Sequence, residues 1–222
     1  MVNMDVMHQT ELFANLPIDK LAFEQQALKR GYRLIAGIDE AGRGALAGPV
    51  VAAAVILPPG LRIDGVDDSK KLSPDTRERL FEVIMARALA VGIGKGSPEL
   101  IDGINILQAT RHAMLEAVGQ LFPQPDFLLI DGITTIDSAH PQKTVKKGDS
   151  LSLSIAAASI IAKVTRDRLM VGLDGLHPGY GFAAHKGYGS ATHMAAISRF
   201  GPSNVHRMTF GGVKEHVPCP CS

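Results

Sequence analysis

The stretch GIDEAGRGALAGPVVAAAVILP, residues 37–58, constrains the fold more than any other part of the chain. Two apolar runs flank a glycine-rich turn, and the acids Asp39 and Glu40 sit where the first run ends. A valine-rich run closed by Pro58-Pro59 predicts a buried strand over 49–58. RLIAGID predicts another over 33–39. Further short strands are expected at 90–96, 126–132 and 143–149. Ser73 followed by Pro74 marks a helix start, and Leu80, Val83 and Ile84 recur at helical spacing after it. The Ser-Pro-Glu start recurs at 97–99 and opens one or two more helices. A long helix is expected over 150–170 and a last one over 189–201. Strands alternating with helices predict an α/β fold, a mixed sheet with helices on both faces. Residues 133–142 and 174–189, rich in Gly, Pro and His, are expected to form mobile loops.

With 222 residues and a formal net charge of +1, no global charge points to nucleic acid or membrane, so any such footprint must be local. Both cysteines, Cys219 and Cys221, fall in the tail VPCPCS and read as free thiols of a reducing cytoplasm. The N-terminus lacks the basic and apolar regions of a signal peptide. The apolar runs near 49–57 and 155–162 are shorter than the roughly 20 residues that span a bilayer.

Asp39, Asp131 and Asp149 each end or closely follow an expected strand and precede a glycine or a helix. Ligand sites of α/β sheets lie beyond strand ends. Acids gathered there repel one another, and a divalent cation relieves the repulsion. An all-oxygen donor set favours Mg²⁺ or Mn²⁺ over zinc. Neighbours on a strand point to opposite faces, so Asp39 and Glu40 share a site only if the strand bends between them. Taken alone, each acid reads more readily as a cap, a turn former or a solvated strand end; IDE and IDG together, each closing an apolar run, point instead to a shared site. Asp149 in KGDS is the most ambiguous, since it could cap a helix beginning near Ser150.

In Gly42-Arg43-Gly44 the glycines let backbone approach a ligand, and Arg43 suits a phosphate. The loop is neither a Walker loop nor GxGxxG. Basic residues lie close in sequence to the acids. They are Lys70 and Lys71, the lysines of KTVKKGD, then Lys163, Arg166, Arg168, His185 and Lys186. Together they suit a phosphate backbone, and Tyr188 in its glycine-flanked loop could stack on a sugar or base.

From about residue 34 to 214 the sequence resembles bacterial ribonuclease HII. The motifs are AGIDEAGRGALAGPVVAAAVIL, DSKKLS, INILQATRHAM, LLIDG, TVKKGDS, SIAAASIIAKVTRD, YGFAAHKGYG and HRMTFGGVK, in the family's order and spacing. The resemblance implies a ribonuclease H-like mixed sheet flanked by helices, with a helical C-terminal part. It sets a catalytic domain at 33–214, preceded by residues 1–32, which are polar and read as a helical extension, and followed by a tail at 215–222. The implied activity is cleavage of RNA in RNA–DNA hybrids and 5′ to single ribonucleotides in duplex DNA, leaving 5′-phosphate and 3′-hydroxyl ends. The family's four metal-holding catalytic acids fall on Asp39, Glu40, Asp131 and Asp149, with two Mg²⁺ or Mn²⁺ ions expected when substrate is bound. The implied substrate contacts are Gly42, Arg43 and Gly44 at the 2′-hydroxyl, Tyr188 at the RNA–DNA junction and Lys70 at the backbone. A cytoplasmic monomer is expected. Gly189-Ser190 stands where the family usually has Pro-Thr, which predicts a looser Tyr188 loop. The rival readings are an actin-like phosphotransferase, which needs a second nucleotide-binding half, and a non-catalytic nucleic-acid-binding module.

Overall fold

The computed structural model describes residues 19–217. The expected extension over 1–32 lies partly outside these residues, and Cys219 and Cys221 lie wholly outside them. The described residues open with helix α1 (Ala22–Lys29). Strands β1 (Ile35–Ala41) and β2 (Val50–Ile56) follow. Helix α2 (Pro74–Arg87), strand β3 (Ala90–Gly96) and helix α3 (Pro98–Gly119) come next. Strands β4 (Phe127–Asp131) and β5 (Gln142–Val145) complete the sheet. The rest is helical: α4 (Gly148–Leu151), α5 (Leu153–Leu176), α6 (Phe182–His185) and α7 (Ala191–Phe200).

The five strands run in the order β3-β2-β1-β4-β5. β1 is antiparallel to β2 and parallel to β4, and β4 is parallel to β5. The C-terminal ends of β1, β4 and β5 therefore share one edge of the sheet. Side chains alternate across it. Ala36, Ile38, Leu128 and Ile130 pack under α3. Ala53 and Val55 face α2 and α5, and Ile35, Leu129 and Val145 meet Ile155 of α5. Gly37 permits that second contact, since a Cβ there would lie 2.1 Å from the Ser154 carbonyl carbon. The small side chains of SIAAAS thus let α5 lie almost against β1.

Local signals explain the helix starts. Ser73 accepts a hydrogen bond from the Thr76 N–H at 3.2 Å, with Pro74 in the first helical position. Ser97 and Pro98 repeat the device. Buried Leu80 and Ile84 anchor α2. Each contributes about 1.5–3 kcal/mol by leaving water. α3 is broken at Asn105 (φ 69°), so the uncertainty between one helix and two reflects a real kink.

Three expectations need correction. The strand expected over 143–149 stops at Val145. Lys147 turns left-handed (φ 58°), and Asp149 lies inside the one-turn helix α4. Asp149 does not cap the long helix either, because Ser152 fills that position and accepts from the Ile155 N–H. The long helix runs to Leu176, and α6 occupies Phe182–His185, so two pieces of the loop expected at 174–189 are helical and the rest is turn and loop. No described helix is long and apolar enough to cross a membrane.

Candidate active site

Asp39 near the end of β1 and Asp131 at the end of β4 lie on the α5 side of the sheet. Ile38 pairs with Ile130 in the parallel register, so the next residues of both strands stand side by side. Asp131 Oδ1 accepts from the Gly148 N–H at 2.6 Å. This bond holds the start of α4 and brings Asp149 in from beyond β5. One carboxylate oxygen from each of the three aspartates lies within 4.8 Å of the others. Asp39 and Asp149 are buried. Burial, then the charges of Glu40 and Asp131, push the Asp39 carboxyl well above its ordinary range. Burial and Asp131 raise that of Asp149. Lys70 Nζ lies 3.7 Å from Asp149 Oδ2 on a mostly exposed side chain, too weak a partner to neutralise three acids. A crowded set of oxygen donors with little protein counter-charge fits a hard divalent cation.

Glu40 is not among the three residues whose oxygens lie within 4.8 Å of one another. The β1–β2 ladder continues through Asp39, Glu40 and Ala41, and Glu40 still acts on the site: after burial, its charge raises the Asp39 carboxyl, and Asp131 raises that of Glu40. The Glu40 carboxylate pairs with Arg43 at 3.2 Å, and burial raises its pKa against that pairing. It faces a neighbouring cleft of about 560 Å³, lined also by Gly42, Arg43, Gly44, Lys70, Lys163 and Tyr188.

The floor of that cleft is built on two buried arginines. Arg166 of α5 donates to the carbonyls of Ala47, Pro49 and Lys186. Arg207 donates to the carbonyls of Gly42, Arg43 and Gly48. No ion pair among the described residues includes either guanidinium. Burial and the charge of Arg166 lower the pKa of Arg207 to about 9. A planar peptide points its N–H opposite its C=O. Drawing the carbonyls of Gly42 and Arg43 inward therefore turns the N–H groups of Arg43 and Gly44 toward the cleft. Among the described residues neither N–H has a protein acceptor. Gly42 is obligatory here, with φ 94° and a hypothetical Cβ 1.9 Å from Arg166 Nε. A Cβ at Gly44 would meet nothing within 4 Å, so that position is open to a ligand.

Tyr188 is partly exposed at the rim, its ring 5.4 Å from Arg166 Cζ and 6.0 Å from Lys163 Nζ. Its loop is closed by a hydrogen bond from the Ser190 N–H to the Tyr188 carbonyl, and Ser190 caps α7. The expected basic cluster divides. Lys70 and Lys163 reach the cleft. Lys71 turns to Asp67 and Ser150, Lys143 to Gln26, Arg168 to Glu78 and Glu82, and Lys186 to the Ala183 carbonyl. Sequence reasoning took Arg166 for a phosphate contact and passed over Arg207. No local pattern distinguishes a buried guanidinium from a surface one.

Comparison with known proteins agrees with this geometry. The family model described as Ribonuclease HII matches residues 36–213. A ribonuclease HII of Pelobacter propionicus is 74% identical, covering 99% of this chain and 100% of its own. One of Geobacter sp. is 68% identical over 91% of this chain and 88% of its own. Among solved structures, the ribonuclease H2 of Pyrococcus horikoshii superposes with a TM-score of 0.68 at 26% identity, over 82% of this chain and 95% of its own. The ribonuclease HII in a PCNA complex from Archaeoglobus fulgidus gives 0.67 at 29%, over 80% and 95%.

Proposed function

The chain belongs to the ribonuclease HII family of metal-dependent endoribonucleases acting on RNA–DNA hybrids, and from that premise we propose that it also cuts 5′ to single ribonucleotides in duplex DNA, leaving 5′-phosphate and 3′-hydroxyl ends. The observation that carries the reading is the triad itself. Three aspartates from separate segments meet within reach of one ion, beside a cleft floored by outward N–H groups and edged by Tyr188.

Asp39, Asp131 and Asp149 would hold Mg²⁺ or Mn²⁺, two ions in the reading proposed for the substrate complex. Such ions lower the pKa of water and offset charge on the phosphate and the departing oxygen. The residues supply position and selection. Arg43 meets the substrate phosphate, and that contact releases Glu40 from its ion pair to complete the carboxylate set. The Arg43 and Gly44 N–H groups test for the 2′-hydroxyl, the group by which a protein tells RNA from DNA. Tyr188 stacks on the deoxyribose across the junction, and Lys70 meets the backbone beside Asp149. Residues 33–214 form the catalytic unit, working as a cytoplasmic monomer.

The test is cleavage of a duplex carrying one ribonucleotide, with both new ends mapped and a chelator control. A single cut 5′ to the ribonucleotide, abolished by chelation, is expected. Cleavage of long hybrids but not of this duplex would remove the junction reading while leaving the family activity intact.

A further inference from the structure

Beneath Tyr188 lie two buried histidines that the hydrolytic site does not use, His193 of α7 and His206 near the C-terminal end. Their Nε2 atoms are 3.1 Å apart. His206 Nδ1 accepts from the main-chain N–H of Ser203 at 2.9 Å. His193 Nδ1 lies 2.9 Å from the Tyr188 carbonyl oxygen.

One end of this chain fixes all of it. A main-chain N–H can only donate, so His206 Nδ1 is bare and a neutral ring carries its proton on Nε2. That proton points at His193 Nε2, which must be bare in turn. The proton of His193 therefore sits on Nδ1 and is donated to Tyr188. With His206 so fixed, a proton on His193 Nε2 would leave two N–H groups face to face between the rings. An added proton on His193 does the same. Burial, helped at His206 by the charge of His193, holds the pKa of His206 down to about 4, and burial also lowers that of His193. The surrounding groups are His185, stacked on His193 with ring centres 4.3 Å apart, Phe182, Tyr180, His177 and the adjacent Arg207.

Both ends of the chain touch the cleft. His206 precedes Arg207, whose guanidinium holds the carbonyls of Gly42 and Arg43. His193 holds the carbonyl of Tyr188. We propose that His193 and His206 form a one-way hydrogen-bond relay that fixes Tyr188 relative to the 42–44 loop and so sets selectivity for RNA–DNA junctions. They are positioning residues, and the proposal rests on the reading of Tyr188 given above.

Two measurements test it. In nitrogen-15 spectra of the wild-type histidine rings, His193 is expected to carry its proton on Nδ1 and His206 on Nε2. A proton on His193 Nε2 overturns the relay, because His193 then donates nothing to the Tyr188 carbonyl, which keeps only the Ser190 N–H. The second measurement is the ratio of kcat/KM on a single-ribonucleotide duplex to that on a long hybrid. His193→Asn keeps an amide donor near the Nδ1 position. His193→Gln moves its amide out toward His206 and loses the donor to Tyr188. His193→Gln is expected to lower the ratio about fivefold, the size of one net hydrogen bond, and His193→Asn to leave it near wild type. An unchanged ratio in His193→Gln, or equal losses in the two variants, overturns the proposal if Tyr188→Ala lowers the ratio in the same assay. If Tyr188→Ala leaves the ratio unchanged, the junction reading itself fails and takes the proposal with it.

Discussion

Two buried charge clusters of opposite sign lie side by side at one end of the sheet, and the protein treats them differently. Asp39, Asp131 and Asp149 crowd together with one exposed lysine 3.7 Å from the nearest carboxylate oxygen. Arg166 and Arg207 are as deeply buried, yet every hydrogen bond of their guanidinium groups goes to a main-chain carbonyl. The cationic pair is satisfied within the chain, and its work is to shape the 42–48 loop. The anionic group is left needing charge from outside. A structural cluster completes itself; a binding cluster does not.

The largest expected effect breaks the anionic side. Asp131→Asn removes one ligand charge and weakens the anchor of α4. Cleavage of the single-ribonucleotide duplex is expected to fall by about 10³-fold or more while gel-shift affinity persists. Near wild-type cleavage would mean that the site is misassigned, and lost cleavage with intact binding separates an enzyme from a passive binding module.

Breaking the cationic side should instead cost stability. Arg207→Met leaves the carbonyls of Gly42, Arg43 and Gly48 without this donor. Each buried acceptor stranded in this way costs about 1–3 kcal/mol. A fall in the urea midpoint of the metal-free protein is expected, and an unchanged midpoint would show that the loop does not depend on the arginine. Gly44→Ala sharpens the contrast within the loop. The Cβ meets no protein atom, so the variant folds, but cleavage is expected to drop about tenfold as the added methyl crowds the substrate. Unchanged kinetics would place the 2′-hydroxyl elsewhere.

The smallest effect is a gain. The folded-state pKa of Asp39 is raised, so folding favours its protonated form. Stability from this group is complete below the unfolded carboxylate range and is lost as pH rises through the raised value. At pH 7 without metal, Asp39→Asn is therefore expected to raise the thermal midpoint by a few degrees. Mg²⁺ should reverse the order by stabilising the wild type alone. A lower midpoint for Asp39→Asn in the metal-free state would contradict the picture of crowded, uncompensated acids.

The sequence carried what is local. Ser73-Pro74 and Ser97-Pro98 marked two helix starts, the valine-rich run marked a central strand, and an acid closing each of two apolar runs marked Asp39 and Asp131. Position was lost where it depends on distant partners. Asp149 looked like a strand end or a cap because its placement rests on a hydrogen bond between Gly148 and Asp131. The position of Glu40 relative to Asp39 was open in the sequence because its carboxyl answers to Arg43, Asp131 and Lys70, two of which lie on other segments. Arg166 and Arg207 were illegible as a pair because the carbonyls that Arg207 binds lie more than 150 residues away.

The most direct test of the central claim is an electron paramagnetic resonance titration of Mn²⁺ into the nucleic-acid-free protein, comparing wild type with Asp131→Asn. Saturable binding to the wild type, strongly weakened in the variant, is the predicted result. Equal binding by both proteins, or none by the wild type, would contradict a metal centre built from the three aspartates.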